Sequence, residues 1–140
     1  PLLFSVLDEG PDVMFSIADM DTTDDTVEVI ASRFFDREVT IHSIQKGPEP
    51  SIVFERTIDD SCGAAFGSIL ANLDNVEHPG RVVVDSGSTV ETTNKPGDSF
   101  SHLLITSHDS DQGSLYSYRV PTGHKNAWKT DPWTRTTVAS

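Results

Sequence analysis

The sequence has 140 residues, 22 Asp and Glu against 10 Lys and Arg, and a formal charge of −12. That length suits one domain, which can bury roughly two thirds of the surface exposed by the unfolded chain, and the acidity without a Lys/Arg cluster excludes a phosphate-binding face for nucleic acid. A lone Cys62 excludes an internal disulfide, and no run approaches the roughly 18 apolar residues of a membrane span.

Along the chain the hydrophobic period is two rather than 3.6, which predicts an all-β protein. Residues 2–7 (LLFSVL) read as a first strand, and 15–18 as a short apolar strand running into an acidic loop. Residues 26–34 (TVEVIASRF), 38–45 (EVTIHSIQ) and 51–58 (SIVFERTI) follow, the last two parted by a Lys46-Gly47-Pro48 turn. In 38–45, alternation sets Val39 and Ile41 on one face and Thr40 and His42 on the other, so His42 is expected at the surface. The glycines and apolar end of 63–73 (GAAFGSILANL) favour a strand over a helix. Residues 81–85 (RVVVD), 101–107 (SHLLITS), 114–120 (SLYSYRV) and the stretch 133–140 complete the set. The polar, Thr/Ser/Gly-rich segment within 76–98, with its tip at 86–99, reads as a long surface loop.

An internal repeat organises these strands. Residues 15–21 (FSIADMD) parallel 67–74 (GSILANLD), with Ala18 and Ala71 lying 53 positions apart. Each copy continues into a polar loop, a buried-looking strand (27–32, 103–108), an exposed hairpin partner (37–45, 113–121) and a closing strand (51–60, 133–140). Periods of roughly 40–50 residues with three or four strands per unit are those of propeller blades. The predicted units are about 12–60 and 66–140. Two units do not close a ring, so the expectation is a partial propeller: a segment of a longer chain or a ring completed by further copies. Its start at Pro1-Leu2-Leu3-Phe4 and its end at Val138-Ala139-Ser140, without polar tails, point the same way. A small β-sandwich is the alternative.

The charge is concentrated in the first copy. Residues 1–70 carry 14 acids and 4 bases, whereas 71–140 carry 8 and 6. Asp19, Asp21, Asp24, Asp25 and Glu28 place five carboxylates within ten residues. Such a run needs solvent or a cation, although an Asp-rich turn can also satisfy its own backbone donors. The run Ala-Asp-Met-Asp followed by Val-Glu-Val-Ile-Ala-Ser resembles the FG-GAP/VCBS repeat of integrin-like β-propellers, in which a strand ends in an acidic D-x-D-x-D-G loop. The resemblance implies calcium held at Asp19, Asp21, Thr23, Asp24 and Asp25, a type of site in which six to eight hard oxygens surround the ion. The loop glycine of the family is absent, and the loop is one residue longer. Asn72, Asp74, Glu77 and Gly80 form a looser second match.

Other chemistry is sparse. His102 and His108 fall on one strand face but lie about 20 Å apart, too far for one ion. His78 reads as a turn residue. Cys62 has no basic neighbour and reads as a buried structural thiol. No G-x-S-x-G elbow, H-E-x-x-H motif or Gly-rich phosphate loop occurs. Tyr116 and Tyr118 share a strand face, and Trp128 and Trp133 flank a Lys-Thr-Asp-Pro turn. These four rings are candidate ligand contacts, with packing between blades as the alternative role of the tryptophans. The expected function is a non-catalytic, extracellular or secreted binding module recognising a glycan or protein, with a calcium-stabilised loop. The alternative is a segment of a propeller-based carbohydrate-active lyase or hydrolase.

Overall fold

A computed structural model describes residues 14–74, 100–109 and 112–140. The expected strands at 2–7 and 81–85, the loop tip at 86–99, His78 and Glu77 lie outside the described residues. Eight strands and one helical turn appear in chain order: β1 (Met14–Ala18), β2 (Thr26–Arg33), β3 (Glu38–Gln45), β4 (Ser51–Asp59), β5 (Ala64–Ala71), β6 (His102–Asp109), β7 (Gln112–Arg119), α1 (Ala127–Thr130) and β8 (Thr134–Ala139). They form two four-stranded antiparallel sheets with the strand orders β1-β2-β3-β4 and β5-β6-β7-β8. Among the described residues, every neighbour in each sheet is also the next strand in sequence, so each sheet is a meander. Short β-branched runs joined by short polar connections produce the β2-β3-β4 pairing, because each strand pairs with the one just made.

The sheets stack face to face, with β5 lying against β1 and β2. Cross-strand pairing places Ser16, Ile30 and Ile41 on one face of the first sheet, with Val39 beside them. In the second sheet, Ser68, Ile105 and Tyr116 share one face with Leu70, Leu103 and Tyr118. These two faces meet. Ile30, Val39, Ile41, Leu103, Ile105 and Tyr118 are completely buried there, and Cys62, Ala65, Val120, Trp128 and Trp133 complete the core. Polar ties cross the same boundary. Ser16 donates its hydroxyl to the Ser68 carbonyl at 2.8 Å, and Arg56 reaches the Trp128 carbonyl at 3.1 Å.

The repeat seen in sequence is a repeat of register. Superposing the pair Ser16–Ile30 on Ile69–Leu104 brings Ile41 onto Ser117 and Val39 onto Leu115. It also brings the pair Val39–Asp59 onto Leu115–Ala139, and each sheet slips register at the next position, between Val39 and Thr40 and between Leu115 and Tyr116. A β-bulge therefore sits at the same place in both meanders.

Two sequence expectations need correction. The stretches 37–45 and 113–121 are not exposed hairpin partners, because β3 and β7 lie inside their sheets, with residues 39–43 all buried and Ser117, Tyr118 and Val120 buried in β7 and just beyond it. His42 is accordingly interior, 4% exposed, with Nε2 2.9 Å from the Thr40 hydroxyl. Alternation placed it on the face away from Val39, but that face is covered too.

Candidate functional site

Antiparallel meanders send alternate connections to the same end. The acidic β1–β2 loop, the β3–β4 turn at Lys46 and the β7–β8 connection carrying α1 therefore gather at one end of the stack. The acidic loop is built by its own side chains. Asp21 Oδ1 accepts from the Thr23 N–H at 3.1 Å and the Thr23 hydroxyl at 2.6 Å. Asp24 Oδ1 repeats the arrangement with Thr26, at 2.9 and 2.6 Å. These Asx-type turns replace the missing loop glycine as the source of the bend. Both carboxyls are held below the ordinary carboxylate range, Asp21 chiefly by the Thr23 hydroxyl and Asp24 chiefly by that of Thr26. From beneath, the fully buried Glu28 accepts the Met20 N–H at 2.7 Å and the Thr26 hydroxyl at 3.0 Å.

Two lysines bring positive charge to this loop. Lys46 Nζ lies 3.0 Å from Asp19 Oδ2. Lys125, from the other sheet, lies 3.2 Å from Asp21 Oδ2 and donates to the Thr23 hydroxyl at 2.7 Å. Asp21 Oδ1 and Oδ2, Asp24 Oδ1 and Asp19 Oδ2 are engaged by backbone donors, hydroxyls or ammonium groups, and among the described residues no three His, Cys, Asp or Glu side chains converge. Asp25 contributes its backbone: its carbonyl accepts the Lys46 N–H at 2.7 Å and the Gln45 amide at 3.1 Å.

Beside the latch formed by Lys125 lies an open cleft of about 340 Å³. It is lined by Asp19 and Met20 from the β1–β2 loop, by Phe100, and by Val120, Thr122, His124, Lys125 and Trp128 from the end of β7 and the connection after it. A second cleft of about 290 Å³ shares Phe100, Val120 and Thr122 and continues to Asn72, Asp74, Ser101 and Arg119. Arg119 holds Asp74 with two parallel hydrogen bonds of 3.0 and 2.8 Å, which fixes that rim. His124 pairs with Asp131 at 3.4 Å. The Trp128 indole N–H is buried without a hydrogen-bond partner among the described residues.

The four aromatic candidates do not share one surface. Tyr118, Trp128 and Trp133 are buried in the core. Trp133 donates its indole N–H to the Trp128 carbonyl at 3.0 Å, while Phe54 packs edge-on against Trp128. Trp128 alone of the four also lines the cleft. Tyr116 is half-buried, with the Arg135 guanidinium over its ring.

A polar knot ties the end of β4 to β7 and β8. Asp59 Oδ2 accepts from the Tyr118 hydroxyl and the Arg135 guanidinium, both at 2.8 Å, and Asp59 Oδ1 accepts from the Ser61 N–H and hydroxyl at 2.7 and 2.8 Å. Burial alone would raise the Asp59 pKa, but the donors from Ser61, Tyr118 and Arg135 outweigh it and hold the carboxyl below its ordinary value. Burial and the Asp59 carboxylate push the Tyr118 phenol far above its ordinary value. Burial likewise raises the Cys62 thiol, consistent with a structural role. The Ser107 hydroxyl bonds the Cys62 carbonyl.

Lys46, Phe100, Arg119, His124 and Lys125 were not singled out from the sequence. Lys46 was within reach of it: pairing 26–33 with 38–45 as a hairpin puts Thr26 opposite Gln45 and the next residue beside the acidic loop. Fold and site together define an all-β protein of two stacked meanders with a charged, cleft-bearing loop end. Compared with known proteins, the chain matches no family model, no curated protein and no solved structure.

Proposed function

We propose that the chain is a non-catalytic binding module made of two consecutive propeller-type blades, which takes a glycan or a short polar protein segment in the clefts of its loop end. The observation that carries this reading is the joined pair of clefts beneath the β1–β2 and β7–β8 connections. Their walls mix apolar floor (Phe100, Val120, Trp128) with a carboxylate, an imidazole, an amide and a guanidinium at the rim. Sugars present the same mixture of apolar C–H faces and hydroxyls, and extended polar peptides come close to it. The blade reading is supported by the sequential four-stranded meanders, their shared register and their face-to-face stacking. The acidic, Lys-poor composition favours an extracellular setting.

A glycan array probed with the labelled chain, followed by titration calorimetry of any hit, tests the reading. Saturable binding without turnover is expected, weakened about tenfold by His124→Ala, whose side chain is exposed and outside the core. Retention on no glycan and on no peptide library, or binding indifferent to His124→Ala and to Thr122→Arg, would sink it.

A further inference from the structure

Two kinds of polar side chain line the joined clefts, and they differ in how far they are already engaged. The charged ones are all paired. Asp19 meets Lys46 at 3.0 Å, and Lys125 meets Asp21 at 3.2 Å. Arg119 meets Asp74 at 2.8 Å, and His124 meets Asp131 at 3.4 Å. The uncharged ones keep capacity free. Among the described residues, neither the Thr122 hydroxyl nor the Asn72 amide nitrogen makes a hydrogen bond; Asn72 uses only its carbonyl oxygen, on the Asp74 N–H at 3.2 Å. Thr122 is exposed and lines both clefts, beside the half-buried Phe100.

A ligand charge entering these clefts would meet both members of an ion pair. Attraction to one is offset by repulsion from the other, and the hydration lost by the charge goes uncompensated. Anions face a further penalty. The chain carries a formal charge of −12, and Asp19, Asp21, Asp24 and Asp25 crowd the adjoining loop. Sugar hydroxyls suit the groups that remain, because each donates and accepts at once and can use both Asn72 and Thr122. The apolar C–H face of a sugar ring can lie on Phe100. The lining residues sit at strand ends and in connections, so the backbone groups of an extended peptide would find no ladder to join.

We propose that the joined clefts select an uncharged oligosaccharide, with linked rings lying one in each cleft and Thr122 at their junction. This selectivity rests on the binding reading above and adds the class of ligand to it. Neutral sugars are taken, and their uronate, sialylated or sulfated counterparts are refused. The Arg119–Asp74 pair sets that refusal. Asp74 occupies the two parallel guanidinium donors that would otherwise clasp a ligand carboxylate.

A glycan array carrying neutral oligosaccharides beside uronate, sialylated and sulfated ones provides the test, read at about 50 and about 500 mM salt. The wild type should be retained on neutral sugars alone, and calorimetric affinities should differ less than about twofold between the two salts. Thr122→Val should weaken that binding about tenfold. Asp74→Asn changes an exposed side chain, should stay folded by circular dichroism, and should gain acidic glycans by freeing Arg119. Acidic glycans held by the wild type as tightly as neutral ones, or an affinity that falls steeply with salt, would overturn the proposal and leave the binding reading standing. Retention of peptides alone would do the same, as would a folded Asp74→Asn protein with unchanged selectivity. Retention on no glycan and no peptide would remove both readings together.

Discussion

Glu28 is the residue on which the acidic loop is seated. It is fully buried beneath the loop, and its two oxygens hold the Met20 N–H and the Thr26 hydroxyl. Glu28→Ala would leave the Met20 N–H without its partner and the Thr26 hydroxyl with Asp24 alone, and is expected to cost about 1–3 kcal/mol in urea unfolding, with Glu28→Gln losing roughly half of that. Equal stability of the alanine variant would show that the loop does not depend on this seat. Asp59 gives a pH signature instead. A carboxyl held below its ordinary value contributes stability above about pH 4, and that contribution is lost as the pH falls through the lowered value. Tyr118 is the mirror case: its phenol is held above its ordinary value, so its contribution is complete below about pH 10 and lost above it. The pH profile of unfolding free energy should therefore show a plateau with two falling limbs. Asp59→Asn should flatten the acid limb and Tyr118→Phe the alkaline one; unchanged limbs would place the titrating groups elsewhere.

At the scale of elements, the β1–β2 loop and the β7–β8 connection are joined by Lys125, a lysine of the connection that pairs with Asp21 and Thr23 of the loop. The ammonium is well exposed, so Lys125→Ala is expected to lower stability by only about 0.5–1 kcal/mol, less at high salt. Because Lys46 and Lys125 already pair with Asp19 and Asp21, millimolar calcium should leave the melting temperature within about a degree of its value in EDTA. A rise of several degrees would mean that the ion displaces the ammonium groups, restoring the cation that the FG-GAP resemblance implies. Much of the element plan was legible in the sequence. The run 38–45 coincides with β3, and Ala64–Ala71 proved to be a strand despite its glycines. Period-two patterning marks local extended structure, and that is decided within a few residues. It does not say which lysine crosses to which loop. The Lys125–Thr23 contact joins residues 102 positions apart and depends on the angle at which two sheets meet. His42 was misplaced for the same reason: a face can be identified from alternation, but its covering cannot.

For the whole molecule, the two sheets form one unit through contacts of three kinds. There is an apolar core, a serine pair between β1 and β5, and polar ties from Asp59 to Tyr118 and from Lys125 to Asp21. The expected consequence is a single cooperative unfolding transition, with near-ultraviolet and far-ultraviolet dichroism changing together. Two separated transitions would mean that each meander is stable alone. The sequence repeat signalled two such units, but the common bulge position emerged only from strand pairing.

The bulge that follows Leu115 has a consequence for colloidal behaviour. All six residues of β8 are exposed, and an outer strand of this kind offers its free backbone groups to any passing extended chain. A bulge increases local twist and breaks the ladder, and β8 carries Arg135 and three threonines along its short length. Strand-by-strand growth at this edge is therefore hindered, and concentrated solutions should not gain the dye-binding cross-β signature of fibrils.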